Sequence, residues 1–523
     1  MPATRLPINQ NVTAQDLADM IFGEGTTVIG SSYSGDTASS GTYTNADVFA
    51  PGVTPGNNGI ILSTGRARSY TNNSGEENQS TSTSTNTSGE NNNPLFNDVA
   101  GINTLDAAYL DVDFIPTGNT LTMQFVFASE EYTEFQSSIY QDFVAVWING
   151  QPVPISVGDG AIAPRNINEN VNQNLYVDNA NDAVNTEMDG LTITLGLKIP
   201  VIPNQVNSIR IGIADVWDSN YDSNLLIAQG SVQTALVAHD DSTALYPNGQ
   251  KTLDLLANDT SSSTGVMQIT HINNVPVVAG SVVILPTGAS VELNADGTVT
   301  LVGDGDTEDY NFTYSISDGA ITDTGIVNVS QVPCFVAGTL ISTPDGERPV
   351  ETLQPGDLVM TKDDGAQPLR WIGTRTVEAI GDFAPIWIKA NTFGIHRDLL
   401  VSPLHRVLIK DALADVLFGE DEVLVTARDL VNDHSVRRRE SDEVTYVHLL
   451  FDRHQVVYSE GLATESFLPG PQTTSSFEAE VVEEICAIFP ELDPETGEGY
   501  GPTARRSLRK FEAELLMRRR AVA

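Results

Sequence analysis

The chain has 523 residues, 40% of them hydrophobic, which suits three or four separate cores rather than one. Its formal charge is −42, from 69 acidic against 27 basic residues, and only seven of the basic ones precede Cys334. Such a chain repels phosphate backbones, which argues against nucleic acid as a partner, whereas multivalent cations or high ionic strength suit it.

Two cysteines, Cys334 and Cys486, allow at most one bridge and exclude a disulfide framework. No apolar run reaches the roughly 18 residues of a membrane-spanning helix. The start, MPATRLPINQNVTAQDLADMIFG, lacks a charged region followed by an apolar one, so a Sec-type signal is not expected. The expectation is a cytoplasmic protein or one exported by a route that does not read this end.

In chain order, Ala14 to Ile21 has apolar residues at helical spacing. β-type segments follow, among them TTVIGSSY, GIILSTG, AAYLDVDF, TLTMQFVFASE, DFVAVWING, LTITLGLKI and SIRIGIADV, so residues 1–235 read as a β-sandwich. Between them, residues 72–93 (NNSGEENQSTSTSTNTSGENNN) are too polar to bury themselves and read as a mobile loop. Residues 236–333 repeat the pattern on a smaller scale, with hairpin turns at AsnAlaAspGly and SerAspGly, and read as an immunoglobulin- or cadherin-like sandwich.

From Cys334 the texture changes, with Trp, Arg and His interleaved among short strands. CFVAGTLISTPDGERPVETLQPGDLVMT places one thiol at the entrance of a curled β-unit with turns at ProAspGly and ProGlyAsp. Further on come LLVSPLHRVLI, with Ser402 and His405 three apart, and YVHLLFDRHQVVYSEGLATESF, with His448 and His454. Residues 471–523 are a polar tail ending in RRSLRKFEAELLMRRRAVA, where Leu508, Phe511, Leu515 and Leu516 share a helical face. That helix reads as partner-docking or solvated, with membrane-surface attachment as the alternative.

The blocks CFVAGT, RPVETLQPGD, LRWIGTR, DLLVSPLHRVLI and TYVHLLFDRHQVVYSEG stand in the order of Hint (Hedgehog/intein-type) domains, and residues 334–470 resemble that family's bacterial branch. The resemblance implies an all-β, horseshoe-like fold and autoprocessing by Cys334, with Ser402, His405, His454 and His448 as the supporting catalytic set. A thiol next to its target amide attacks the carbonyl before it, giving an N-to-S acyl shift; the amide must be polarised and its nitrogen protonated. In the family pattern His405 serves that nitrogen, Ser402 supports the bond's carbonyl or orients the ring, and His454 assists the second stage. His448 reads as a ladder-supporting or neighbouring residue. The region SFLPGPQTTSS lacks the His-Asn ending of splicing inteins, so cleavage without splicing is expected.

GIILSTGRA, TLDAAYLDVDFIP, FVFASEEYTEF, DFVAVWING and IGIADVWDSNYDSNLLI resemble the choice-of-anchor L domain, and residues 236–333 resemble cadherin-like repeats of bacterial adhesins. Glu130, Glu131, Asp215, Asp218 and Asp222 supply hard oxygens near strand ends and are candidate Ca²⁺ ligands. Autoprocessing itself requires no cofactor. The whole reads as mainly β and multidomain: a secreted or cell-surface protein with its own polypeptide as substrate and a cell-surface or extracellular ligand. A structural adhesin with an inactive Hint fold is the alternative. No GxSxG or HExxH motif supports a conventional hydrolase.

Overall fold

The structure is a computed structural model. It describes residues 5–73, 77–80, 82–136, 141–157, 160–245, 249–304, 310–330, 334–379, 384–432, 434–468, 489, 500, 503–508, 512–513 and 515–517. The chain is mainly β and divides into two compact units. The first comprises Met1–Asp241, Thr252–Thr300 and Tyr310–Val327; the second comprises Ser242–Lys251, Leu301–Asp309 and Asn328–Ala523.

In the first unit a five-stranded sheet runs Thr26–Ser34, Thr104–Pro116, Asn207–Val216, Phe143–Ile148 and Gln151–Pro152 in spatial order. An eight-stranded sheet contains Gly59–Ser63, Ser223–Ala228 and Thr120–Ser129 as neighbours. Strand alternation sorts the faces. Ile209, Ile211 and Ile213 enter the core with Leu110, Val112, Phe125 and Phe127, whereas Arg210 points the other way. There it forms a bidentate pair with Asp111 at 2.7 and 2.9 Å and lies over the Tyr109 ring.

The expected helix is present at Ala14–Ile21, started by a reciprocal cap between Thr13 and Asp16 and burying Leu17, Ala18 and Ile21. A second helix, Pro94–Ala100, was not legible as one. It begins at an Asn93 cap with Pro94 in its first turn, and Phe96 seals the far face of the five-stranded sheet against Tyr109, Phe143 and Trp147. At Gly212 a Cβ would come within 2.7 Å of the Phe96 ring, so this close approach requires glycine.

The segment 72–93 overturns the expectation of a mobile loop. Its described residues form a strap whose backbone N–H groups are received by carboxylates. Thr83 donates to Glu130 at 2.6 Å, Thr85 to Asp222 at 2.6 Å, Thr87 to Asp106 at 2.9 Å and Ser88 to Asp36 at 3.1 Å. Asn78 reaches Asp189 at 2.9 Å. The composition argument counted apolar burial and missed that buried carboxyl groups can order a polar segment by accepting its backbone N–H groups.

The described strands of residues 236–330 fall into a five-stranded, a four-stranded and a two-stranded sheet. The hairpin glycines Gly297 and Gly319 take φ of 92° and 93°, as their turns require.

From Phe335 onward a six-stranded and an eight-stranded sheet enclose a core of Phe335, Ile341, Val359, Ile386, Val401, Val407, Val425, Val447 and Leu449. The tail is corrected as well. Leu508, Ala513 and Leu516 are buried in this core, while Leu515 is 42% exposed and Phe511 lies outside the described residues. The common helical face is not kept: Leu508 lies in an extended segment that bridges Leu424, Leu515 faces outward, and of the described residues of that face only Leu516 is both helical and buried in the core of its own chain.

Candidate functional site

The site follows from the register of one very short strand. Phe335–Val336 lies between Leu399–Val401 and Ser441–Leu450, antiparallel to both. Phe335 pairs with Val401 on one side and with Val447 on the other. Antiparallel counting therefore sets Cys334 opposite both Ser402 and His448.

Both contacts are made. Ser402 Oγ accepts the Cys334 N–H at 2.8 Å, and Ser402 N donates to the Cys334 carbonyl at 2.9 Å. The hydroxyl thus sits on the nitrogen of the amide that joins residues 333 and 334, whereas the family pattern put it on the carbonyl or the ring. Cys334 Sγ lies 3.3 Å from His448 Nε2. The thiol is buried beside Ala379, Val444 and Tyr446, and the His448 ring is flanked by Phe467 and Trp371 at 5.4 and 6.5 Å. Pro333 lies outside the described residues, as does Cys486.

His405 closes a turn by donating its N–H to the Ser402 carbonyl at 3.1 Å, and its ring packs 4.3 Å from that of Phe335. Among the described residues neither ring nitrogen has a hydrogen-bond partner. Burial drives its pKa down to about 4, against the pull of Glu465, so the ring is neutral at neutral pH.

His454 is engaged at both nitrogens. Its Nε2 lies 3.1 Å from the Ser466 carbonyl and 3.5 Å from Glu465 Oε2, and its Nδ1 accepts from Ala504 N at 3.0 Å. The imidazole that meets the sulfur is therefore His448, and His454 is a fixed buried group.

Sequence reasoning missed Glu465. Fully buried, it accepts Arg406 N at 2.8 Å and Arg406 Nη1 at 3.1 Å. Burial would raise its carboxyl, but Arg406 and His454 overcome this and hold it at about 2. The signal was an acid inside the apolar strand Leu462–Glu465, where only a paired charge belongs. Glu465→Gln removes the buried charge that Arg406 and His454 share. It is expected to cost this unit about 2 kcal/mol, discounted from a fully buried pair because Arg406 is partly exposed. A denaturant titration of both proteins measures it.

The five acidic candidates fall into two groups, Glu130 with Asp222 and Glu131, Asp215 and Asp218 around Asp142. Glu130 and Asp222 clamp the strap, Glu131 accepts Asp142 N at 2.9 Å, and Asp218 accepts Asn220 N at 3.0 Å. Burial, together with the charge of Asp142, raises the Asp215 carboxyl. Among the described residues no three His, Cys, Asp or Glu side chains are grouped to hold a metal ion.

Residues 333–471 match the family model described as Hint domain. The C-terminal module is a Hint domain. Residues 7–233 match the choice-of-anchor L domain and residues 233–330 a bacterial Ig domain, the latter in place of the cadherin-like repeat expected as one option. No curated protein matches the chain. Among solved structures it is similar to the gp41-1 intein (12% identity, 25% of this chain and 97% of that one, TM-score 0.18). The MchDnaB-1 intein stands at 13%, 25%, 98% and 0.18, and extracellular domains 3–5 of Drosophila OTK at 10%, 63%, 85% and 0.16. The anchor and Ig domains that accompany the Hint domain fit a surface or extracellular protein. Among the described residues no helix is long and apolar enough to cross a membrane.

Proposed function

We propose that this is an exported surface or adhesion-type protein whose Hint domain cleaves its own chain once, before Cys334, without splicing. The observation that carries the reading is the arrangement around one amide: Ser402 Oγ on its N–H at 2.8 Å and an imidazole 3.3 Å from the adjoining sulfur. His448 takes the thiol proton, and the sulfur attacks the carbonyl carbon of residue 333. The carbon–nitrogen bond breaks, and the nitrogen leaves as the α-amine of Cys334, receiving the proton that His448 removed. The product is a thioester between residue 333 and Cys334 Sγ. Ser402 holds the departing nitrogen in place, and neutral His405, one turn away, packs its ring on Phe335, the residue after the thiol. Water or an external nucleophile then attacks the thioester, releasing residues 1–333 and restoring the thiol.

Burial of the thiol among apolar side chains favours a second reading, a structural adhesin with a silent Hint domain. Incubation with hydroxylamine separates the two. Under the first reading the parent protein yields a fragment ending at residue 333 and Cys334→Ala yields none, as intact mass shows. If both remain whole, the first reading fails.

A further inference from the structure

The Hint family match ends at residue 471, yet the polar network around its histidines is completed by the C-terminal tail. Ser507 forms a parallel bridge with Leu424, at the edge of the eight-stranded sheet; Leu424 N donates to Arg506 O and Leu508 N to Leu424 O, both at 2.8 Å. Arg505 is clamped between Asp363, at 2.7 and 3.1 Å, and Glu422, at 3.0 and 3.1 Å. These bonds present the Ala504 N–H to His454 Nδ1 at 3.0 Å.

The protonation of the ring follows. A backbone N–H can only donate, so Nδ1 is bare; the Ser466 carbonyl can only accept, so Nε2 carries the hydrogen. That N–H also faces Glu465 Oε2, the carboxylate that holds Arg406 and opposes His405. The chain of contacts runs Ala504, His454, Glu465, and from there to the strand that begins beside His405.

We infer that residues 503–508 belong to the functional site, and that the Ala504 N–H is a positioning group locking His454 in its Nε2–H form and so holding that hydrogen toward Ser466 and Glu465. The tail acts as a latch: when it is seated the network is ordered, and when it is displaced the ring is free to change tautomer. This bears on cleavage only if the autoprocessing reading holds, but the lock itself is observable without any cleavage.

The test uses the full chain labelled with ¹⁵N-histidine, the His454 signals being assigned by their loss in His454→Gln. In the parent, His454 shows a bare Nδ1 and a protonated Nε2. Ala504→Pro has no N–H to give and is expected to show exchanging tautomers, whereas Ala504→Gly keeps the donor and the parent signature. Hydroxylamine-driven release of the fragment is expected to slow about tenfold in Ala504→Pro and to be unchanged in Ala504→Gly. If Ala504→Pro fails to fold, Arg505→Gln loosens the same segment and is expected to broaden the His454 signals. A folded Ala504→Pro, or Arg505→Gln in its place, with the parent tautomer and rate overturns the latch. An altered tautomer with no release even from the parent supports the latch and sinks the cleavage reading.

Discussion

His448→Gln is expected to release the fragment ending at residue 333 at least about a hundredfold more slowly than the parent at neutral pH, the usual scale for losing a positioned base. Only the thiolate attacks, and the base within reach of Cys334 Sγ is His448 Nε2 at 3.3 Å. Glutamine keeps the polar volume between Trp371 and Phe467 but cannot take a proton at neutral pH. The deficit should therefore narrow as pH rises and hydroxide takes over the proton transfer. Ser402→Ala should act differently. It removes the acceptor of the Cys334 N–H, slows release about tenfold at every pH, and is rescued by Ser402→Thr. Time courses read by intact mass from pH 6 to about 9 distinguish the two patterns. A pH-independent deficit in His448→Gln would remove it from the role of base.

The two units should respond to acid in opposite directions. In the Hint unit, His405 is held at about 4 by burial, whereas a histidine in the unfolded chain titrates near 6.5. Between those values the unfolded chain binds a proton that the folded one refuses. Stability is present above about 6.5 and is lost as pH falls toward 4, by up to about 3 kcal/mol. Glu465, held at about 2, extends the loss below the ordinary carboxylate range. In the first unit the sign is reversed. Burial raises Glu130 to about 9, Asp259 to about 7, and Asp189, Asp222 and Asp323 to about 6. There the folded form keeps protons that the unfolded form has lost, so stability grows as pH falls from about 9 toward the unfolded carboxylate values near 4. Calorimetry at pH 8 and 5 is expected to show one transition rising and the other falling; movement of both in one direction would refute this assignment of buried charge.

Much of the architecture could be read from the residues. Strand alternation, the apolar spacing of Ala14–Ile21 and the five ordered blocks gave the β-sandwich, the first helix and the position of the C-terminal domain. The pairing at the site could not be read. It depends on a strand of two residues, Phe335–Val336, whose register no periodicity can fix. That register sets Cys334 against Ser402 and His448, and so decides which of three histidines meets the thiol. The strap and the tail were misjudged for a common reason. Local composition shows that a segment cannot fold by itself, but not that distant groups await it: Glu130 and Asp222 for the strap, the Hint core for Leu508 and Leu516.

The bridge between Leu424 and Ser507 has a practical consequence. The strand Glu422–Thr426 is the last of its sheet, and residues 506–508 satisfy the backbone groups on its open side. A protein cut where the family match stops would leave that border bare, with Val423 and Val425 alongside, ready to pair with a neighbouring molecule. Preparations ending near residue 471 should therefore clump, and those reaching past Leu516 should stay dispersed.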